Sequence, residues 1–147
     1  MLNDVTVLDL SRVLAGPYCT QLLGDLGATV WKIESPRGDE TRAWGPPFAA
    51  GESAYYLSVN RNKRGLSVNL KDPRGIDIIR ELAMKADILI ENFKTGDLAR
   101  YGLDYETLSE LNPGLIYASI TGYGHTGPRA QEPGYDAAVQ AMSGIME

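Results

Sequence analysis

Residues 7–34, VLDLSRVLAGPYCTQLLGDLGATVWKIE, constrain the fold more than any other stretch of this chain. An apolar run at 5–10, rich in Val and Leu, reads as a buried strand. After the turn SRVLAG, Pro17 suits the first helical position, where a missing N–H costs nothing. Cys19, Leu22, Leu23 and Leu26 follow at helical spacing, which assigns Cys19 to the core. Gly27 stops the helix, and ATVWKIE returns as a second strand. A strand, helix and strand of these lengths predict a parallel pair with a right-handed crossover.

A dinucleotide-binding fold opens in this way when G-x-G-x-x-G joins strand to helix, because the glycines let the main chain approach a pyrophosphate. Here the turn holds one glycine, Gly16. Glu34 ends the second strand where a ribose-binding acid would stand, but alone it reads as an ordinary strand-end carboxylate. NAD is disfavoured, and what the unit binds has to come from the rest of the chain.

The pattern continues to alternate. LSVNL reads as a short strand, and Asp72-Pro73 as an N-cap with a first-turn proline. Ile76, Ile79, Leu82 and Ala83 then make an apolar helical face. DILIENF is a further strand, TGDLARYG a short helix, DYETLSELNPG a helix ended by a turn, and LIYASITGYG another strand. A helical pattern starts at Asp136 and runs almost to the last residue. Together these predict an open, mainly parallel α/β sheet flanked by helices. Residues 35–60 show no period, but Trp44, Phe48, Tyr55 and Tyr56 imply that the segment packs on something.

With 147 residues the chain suits a single domain. Its net charge of −5 argues against a nucleic-acid partner. One cysteine and one histidine, His125, leave no internal disulfide and disfavour a Cys- or His-rich metal site. No apolar run is long enough to cross a bilayer, and the N-terminus lacks a secretory pattern, so no membrane and a cytoplasmic location are expected.

Three segments are candidates for binding. NRNKR, residues 60–64, with Lys71 and Arg74 beyond the next strand, offers cations to a polyanion or simply forms a solvated loop. IENFKTGDLARYG brings Asn92, Phe93 and Arg100 near a strand end: an amide, a flat apolar surface and a charge. Their bland alternative is a turn, a core ring and a surface arginine. ITGYGHTGP could present main-chain N–H groups to an oxyanion, although a lone histidine in such a turn is more often just exposed. RGD at 37–39 invites an adhesion reading, which a cytoplasmic chain makes improbable.

Taken in order, VLDLSRVLAGPYCTQLLGDLGATVWKIE, NRNKRGLSVNLKDPRG, ADILIENFKTGDLARYGLDYETLSELNPGLIYASITGYGHTGP and PGYDAAVQAMSGIM resemble the class III CoA transferases. That family includes formyl-CoA and carnitine CoA-transferases and α-methylacyl-CoA racemases. The stretch TRAWGPPF…ESAYYLSVNRNK is most similar to its succinate–hydroxymethylglutarate branch, which handles dicarboxylic acyl groups. The resemblance implies a Rossmann-like half that holds coenzyme A without a glycine fingerprint. By position it assigns Leu14 and Ala15 to the thioester end of the ligand and Val68, Asn69, Leu70 and Lys71 to its nucleotide. Asn92, Phe93 and Arg100 lie alongside, and Tyr135 and Asp136 close over the pantetheine arm. The basic cluster would meet the phosphates.

Departures narrow the reading. Formyl-CoA transferases have glutamine where Leu14 stands and arginine where Ser35 stands; Arg37, two residues on, is a candidate substitute whose equivalence the resemblance leaves open. The racemases have a catalytic histidine where this chain has Tyr135, which favours transferase chemistry. The family's aspartate nucleophile falls beyond Glu147, so no catalytic residue is expected in this chain. Residues 1–147 are expected to be a single CoA-binding domain, cut before that aspartate and before the second domain of an interlocked homodimer. The expected reaction moves CoA between an acyl-CoA and a carboxylic acid acceptor, with CoA as substrate and no bound cofactor. The alternatives are an acyl-CoA racemase or epimerase of the same fold, and a non-catalytic CoA-binding module.

Overall fold

The computed structural model describes residues 1–146. In chain order it contains β1 (Thr6–Asp9), α1 (Ala15–Asp25), β2 (Thr29–Glu34), a small hairpin of β3 (Phe48–Ala49) and β4 (Glu52–Ser53), and α2 (Ala54–Asn60). Then come β5 (Lys63–Ser67), α3 (Pro73–Ala83), β6 (Ile88–Glu91), α4 (Tyr105–Leu111), β7 (Ile116–Ser119) and α5 (Asp136–Ser143). Short 3-10 turns occupy Glu40–Ala43 and Ala99–Tyr101.

The larger sheet has the order β5-β2-β1-β6-β7, and every neighbouring pair is parallel. This is the open, parallel α/β sheet that the alternating pattern predicts, in the Rossmann-like form that the family resemblance implies. The chain builds outward through β2 and β5, then crosses over to lay β6 and β7 on the other side of β1. All five C-terminal ends therefore share one edge, and the order reverses between β1 and β6. In open parallel sheets the ligand crevice lies at that reversal.

Side chains alternate across the sheet, and the two faces differ. Leu8, Ile33 and Leu89 turn to one face and join Ile79 and Ala83 of α3 and Leu108 of α4 in a buried cluster of twelve apolar residues. Val7, Val30 and Ile90 turn to the other, where with Ala28 they are the whole buried apolar cluster. The rest of that second face carries Asp9, Lys32 and Lys63.

Helix α1 covers the second face, and it departs from the sequence reading in two ways. It begins at Ala15, so Pro17 is its third residue. The first four N–H groups of a helix have no intrahelical partner, so the proline still costs nothing there. Its orientation also differs: Gly16, Pro17, Thr20 and Gln21 are buried and Cys19, Leu22 and Leu26 exposed, while Leu23 of the expected stripe is half-buried against the second-face cluster. Cys19 is therefore not a core residue. A charged sheet surface lies beneath the helix, and the Thr20 hydroxyl meets it with a hydrogen bond that a leucine lacks.

Strand β5 starts at Lys63, three residues before LSVNL, so Lys63 and Arg64 belong to a strand rather than a loop. Segment 35–60 holds the hairpin and α2, which is capped by Ser53 Oγ accepting from Tyr56 N at 3.2 Å. Its aromatics pack on one another, with the Trp44 and Tyr55 rings 5.1 Å apart. Asp72 caps α3 as expected, and TGDLARYG shrinks to the turn Ala99–Tyr101. Among the described residues no helix is long and apolar enough to cross a membrane.

Candidate functional site

The turn after β1 enters the crevice at the point of reversal, and side chains from four separate places hold its main chain. Ser11 N donates to Asp9 Oδ1 at 2.9 Å, and Ser11 O accepts from Lys32 Nζ at 2.9 Å. Arg12 N donates to Asn92 Oδ1 at 2.9 Å, while Asn92 Nδ2 donates back to Arg12 O at 2.7 Å. Val13 N reaches Asp39 Oδ2 at 3.4 Å. Val13 itself sits at φ +70°, a conformation that a β-branched residue adopts only under constraint. Gly16 packs directly on Ser11, and a Cβ there would fall on the serine side chain. That close approach explains the one glycine in the turn.

These tethers anchor in a buried polar network. Asp9, fully buried, accepts from the Ser11 and Thr20 hydroxyls and from Lys63 Nζ at 3.1 Å. Lys63 also donates to Pro17 O at 2.8 Å and Asn60 Oδ1 at 3.0 Å. Burial pushes the Lys63 ammonium down to about 8, against the pull of Asp9. Lys32 pairs with Asp39 at 3.3 Å, both side chains being almost completely enclosed. Burial would raise Asp39, but the Thr41 N–H and hydroxyl and the Lys32 ammonium overcome it and hold the carboxyl below its usual range. Sequence reasoning missed this network. Its signal was an ionisable residue inside each apolar strand, Asp9 in VLDL and Lys32 in VWKIE, since such residues are rarely buried unless paired.

Most of the expected site residues follow the C-terminal ends of strands on the shared edge. Leu14 and Ala15 follow β1 and are exposed at the start of α1, whose N-terminus no side chain caps. The N–H groups of that first turn are oriented to receive an anion or a carbonyl oxygen. Arg37 follows β2 and is exposed. After β5, Val68 is buried in the core and offers a ligand only its main chain, whereas Asn69 and Lys71 are exposed and Leu70 packs on the core. After β6, the Asn92 side chain is committed to Arg12, and the Arg12 guanidinium lies 5.6 Å from the Phe93 ring centroid. Arg100 is exposed and 3.7 Å from Asp97. Tyr135 and Asp136 come after a longer excursion from β7. Gly122 and Gly134 cross there main chain on main chain, so a Cβ on either would strike the other. Tyr135 is 68% exposed, and Asp136 accepts from Gln140 Nε2 at 2.6 Å. Neither hydrogen-bonds to the β1–α1 turn.

Two other readings change. Glu34 is occupied: it accepts from Arg42 Nε (2.8 Å), Tyr56 Oη (2.6 Å) and Asp39 N (3.0 Å), so it holds the 39–56 segment and not a ribose. The NRNKR cluster lies at the start of β5, on the opposite edge from the site. Arg61 pairs there with Asp25 at 2.5 Å, and Lys63 is buried, so the cluster does not meet phosphates at the crevice. Lys71 and Arg74 remain on the site's edge.

Two clefts open along that edge. The larger, about 650 Å³, is lined by Glu91, Lys94, Asp104, Glu106, Tyr117 and His125, among others. It contains none of the expected contacts, and its three carboxylates would repel phosphates. The smaller, about 340 Å³, lies between Leu66, Val68, Asn69, Arg74 and Ile78 and includes two of the expected nucleotide contacts.

Similarity to known proteins agrees with this geometry. The chain is 58% identical over 146 residues to the human "Succinyl-CoA:glutarate CoA-transferase", covering 99% of this chain and 33% of that protein. It is 51% identical over 145 residues to "Acetyl-CoA:oxalate CoA-transferase" of Acetobacter aceti, covering 98% of this chain and 37% of that one. The crystal structure of a CAIB/BAIF family protein from Brucella suis superposes with a TM-score of 0.94 at 51% identity, over 98% of this chain and 39% of that one. The chain thus spans about a third of the length of the curated relatives it matches. The sequence model of CoA-transferase family III matches residues 2–147. With the whole described fold and this run of residues in common, the chain belongs to CoA-transferase family III.

Proposed function

We propose that this chain is the coenzyme A-binding portion of a CoA transferase that moves CoA between an acyl-CoA thioester and a carboxylic acid, with dicarboxylates as the preferred acids. The observation that carries the reading is the tethered turn of residues 11–15 at the sheet's reversal, opening on the uncapped N-terminus of α1. Leu14 and Ala15 would present main-chain N–H groups toward the thioester end. Asn69 and Lys71 would border the nucleotide, and Phe93 would lie along the pantetheine arm. Tyr135 and Asp136 would close over that arm once ligand is present.

The chemistry proposed for the whole enzyme is a carboxylate relay whose nucleophile lies outside residues 1–147. An aspartate oxygen attacks the acyl carbonyl, and the C–S bond breaks to release CoA thiolate and an acyl-aspartyl anhydride. The thiolate attacks the aspartyl carbonyl and expels the donor carboxylate. The acceptor carboxylate then displaces the thiolate from aspartyl-CoA, and the thiolate takes the acceptor's acyl carbon, freeing the aspartate. Thiolate is a good leaving group, and the relay divides one hard exchange into easier steps. The role of this chain is to keep the thiolate in place between steps. An interlocked homodimer would complete the site.

Calorimetric titration of the chain with CoA tests the binding. A saturable one-to-one isotherm, competed by succinyl-CoA and not by NAD, is expected. A folded chain that gives no heat with CoA overturns the reading.

A further inference from the structure

We propose that Asn92 serves the turn and not the ligand: its amide clamps the main chain of Arg12 and thereby positions residues 12–15 for binding. This rests on the proposed CoA site, which it deepens by assigning Asn92 a positioning role in place of direct contact.

The geometry is that of a paired amide. Oδ1 accepts from Arg12 N at 2.9 Å and Nδ2 donates to Arg12 O at 2.7 Å, the two arms engaging one residue 80 positions away. A side-chain amide bound in this way has committed one of its two acceptor sites and one of its two donors, and the pair fixes its plane: the remaining N–H and lone pair cannot be turned to a ligand without breaking the clamp. Beneath it, Glu91 is 5% exposed and fixes the strand end. Its Oε2 accepts from Phe93 N at 2.7 Å, and its Oε1 accepts from the Ser119 hydroxyl of β7. The clamp is thus tied through β6 to the neighbouring strand.

The turn requires such a clamp. Val13 at φ +70° costs energy that is recovered only if its neighbours are fixed. The tethers to Ser11 and Val13 come from Asp9, Lys32 and Asp39, all on the β2–β5 side of the turn or within its own strand. Asn92 is the one tether on the turn's main chain that comes from the β6 side of the reversal, among the described residues. It therefore carries the sheet's hold on this edge, which ends with Leu10 N bonded to Ile90 O at 2.8 Å, two residues further into the turn.

Site-resolved amide exchange by NMR on the ligand-free chain tests the clamp without relying on CoA, and calorimetry with CoA follows. Asn92→Ala is expected to speed exchange at the Arg12 amide by about 100-fold, to leave the amides of Val7 and Leu8 unchanged, and to weaken CoA about tenfold. Asn92→Asp keeps an acceptor for Arg12 N but sets a carboxylate oxygen against Arg12 O in place of the Nδ2 donor, and is expected to speed the Arg12 amide as well. Arg12 exchange unaltered by Asn92→Ala, with CoA weakened all the same, would make Asn92 a direct contact and overturn the proposal. If Asn92→Ala unfolds the chain and all amides rise together, the parent decides: an Arg12 amide that exchanges there as fast as a free peptide amide overturns it. Should the parent fail to bind CoA, the proposed function falls, while the Arg12 measurement still judges the clamp.

Discussion

The two faces of the sheet are built on different principles. The face under α3 and α4 is apolar, with twelve buried residues closing over Leu8 and Leu89. The face under α1 buries four apolar residues and, beside them, Asp9, Lys32 and Lys63 with their partners Ser11, Thr20 and Asp39. Apolar contact is non-directional and resists unfolding in proportion to area. Charged hydrogen bonds are directional, and a buried ion pair contributes little net stability once desolvation is counted. The charged face therefore contributes most by fixing geometry: Lys32 and Asp39 bond directly to the turn, and Asp9 links Ser11, Thr20 and Lys63. One face holds the domain together, while the other aims the site.

Removing one residue from each face should separate those roles. Asp9→Ala leaves Lys63 and two hydroxyls buried without their common acceptor and is expected to cost about 3–5 kcal/mol, the range for breaking a buried pair. Leu89→Ala on the apolar face is expected to cost about 2–5 kcal/mol through lost burial and a cavity. Urea unfolding reads both. Under conditions where each variant is folded, CoA affinity should drop for Asp9→Ala and hold for Leu89→Ala. Equal losses of affinity would erase the distinction between the faces.

Gly16→Ala sharpens the same point with a single methyl group. The added Cβ would strike Ser11, so either the start of α1 or the Ser11 tether must move. An overpacking cost of about 1–3 kcal/mol is expected, together with loss of CoA binding. A variant that binds CoA like the parent would show that the turn tolerates displacement.

The sequence made the apolar face legible and the charged face almost invisible, for a physical reason. Burial imposes a period, and VLDL, DILIENF and the Ile76–Ile79–Ala83 spacing announce it. A buried ion network imposes none, because its members are recruited from wherever the fold brings them. Asp9 and Lys63 are 54 residues apart, and Arg12 and Asn92 are 80 apart. Asn92 was picked out by residue type and by its place at a strand end, but whether it faced ligand or main chain depended on a contact across the reversal. Helix α1 was misjudged for a related reason. Its apolar stripe follows the helical period, yet the sheet beneath it is charged, so Thr20 faces inward and Cys19 outward. Helix α2 went unread because seven residues between a glycine turn and a strand carry little periodicity, although Ser53 at its start was a capping signal.

The pH response tests whether burying the Lys63 charge costs the fold stability. Lys63 falls from an ordinary 10.5 to about 8 in the fold, burial outweighing the pull of Asp9. Between those values the unfolded chain binds more protons than the folded one, so stability rises with pH across that window. An increase of roughly 1–2 kcal/mol from pH 8 to 9.5 is expected, at about 1.4 kcal/mol per fully developed pH unit. Above about pH 10 the trend should reverse. Tyr56 and Tyr117 are held above their usual value, first by burial, then by carboxylates (for Tyr56 above all Glu34), so the folded chain retains protons that the unfolded chain loses. Lys63→Met should remove the rise and keep the reversal. A rise that persists in Lys63→Met would assign it to another group.

The smallest expected effect tests the outer surface of α1. Cys19 and Leu22 lie on a stripe that the sequence assigns to the core and the fold leaves exposed. If the stripe is solvated in this chain, Cys19→Ser changes stability by no more than about 0.5 kcal/mol, as substitutions away from packed features do. The Cys19 thiol should also react with a disulfide reagent in the native state nearly as fast as in urea. A buried thiol would behave otherwise on both counts, because replacing it by a hydroxyl costs more and reaction must wait for opening. Slow reaction together with a larger cost would mean that α1 buries its apolar stripe after all. The charged surface beneath it would then lack the polar helix face that meets it, and the contrast between the two faces would lose its structural basis.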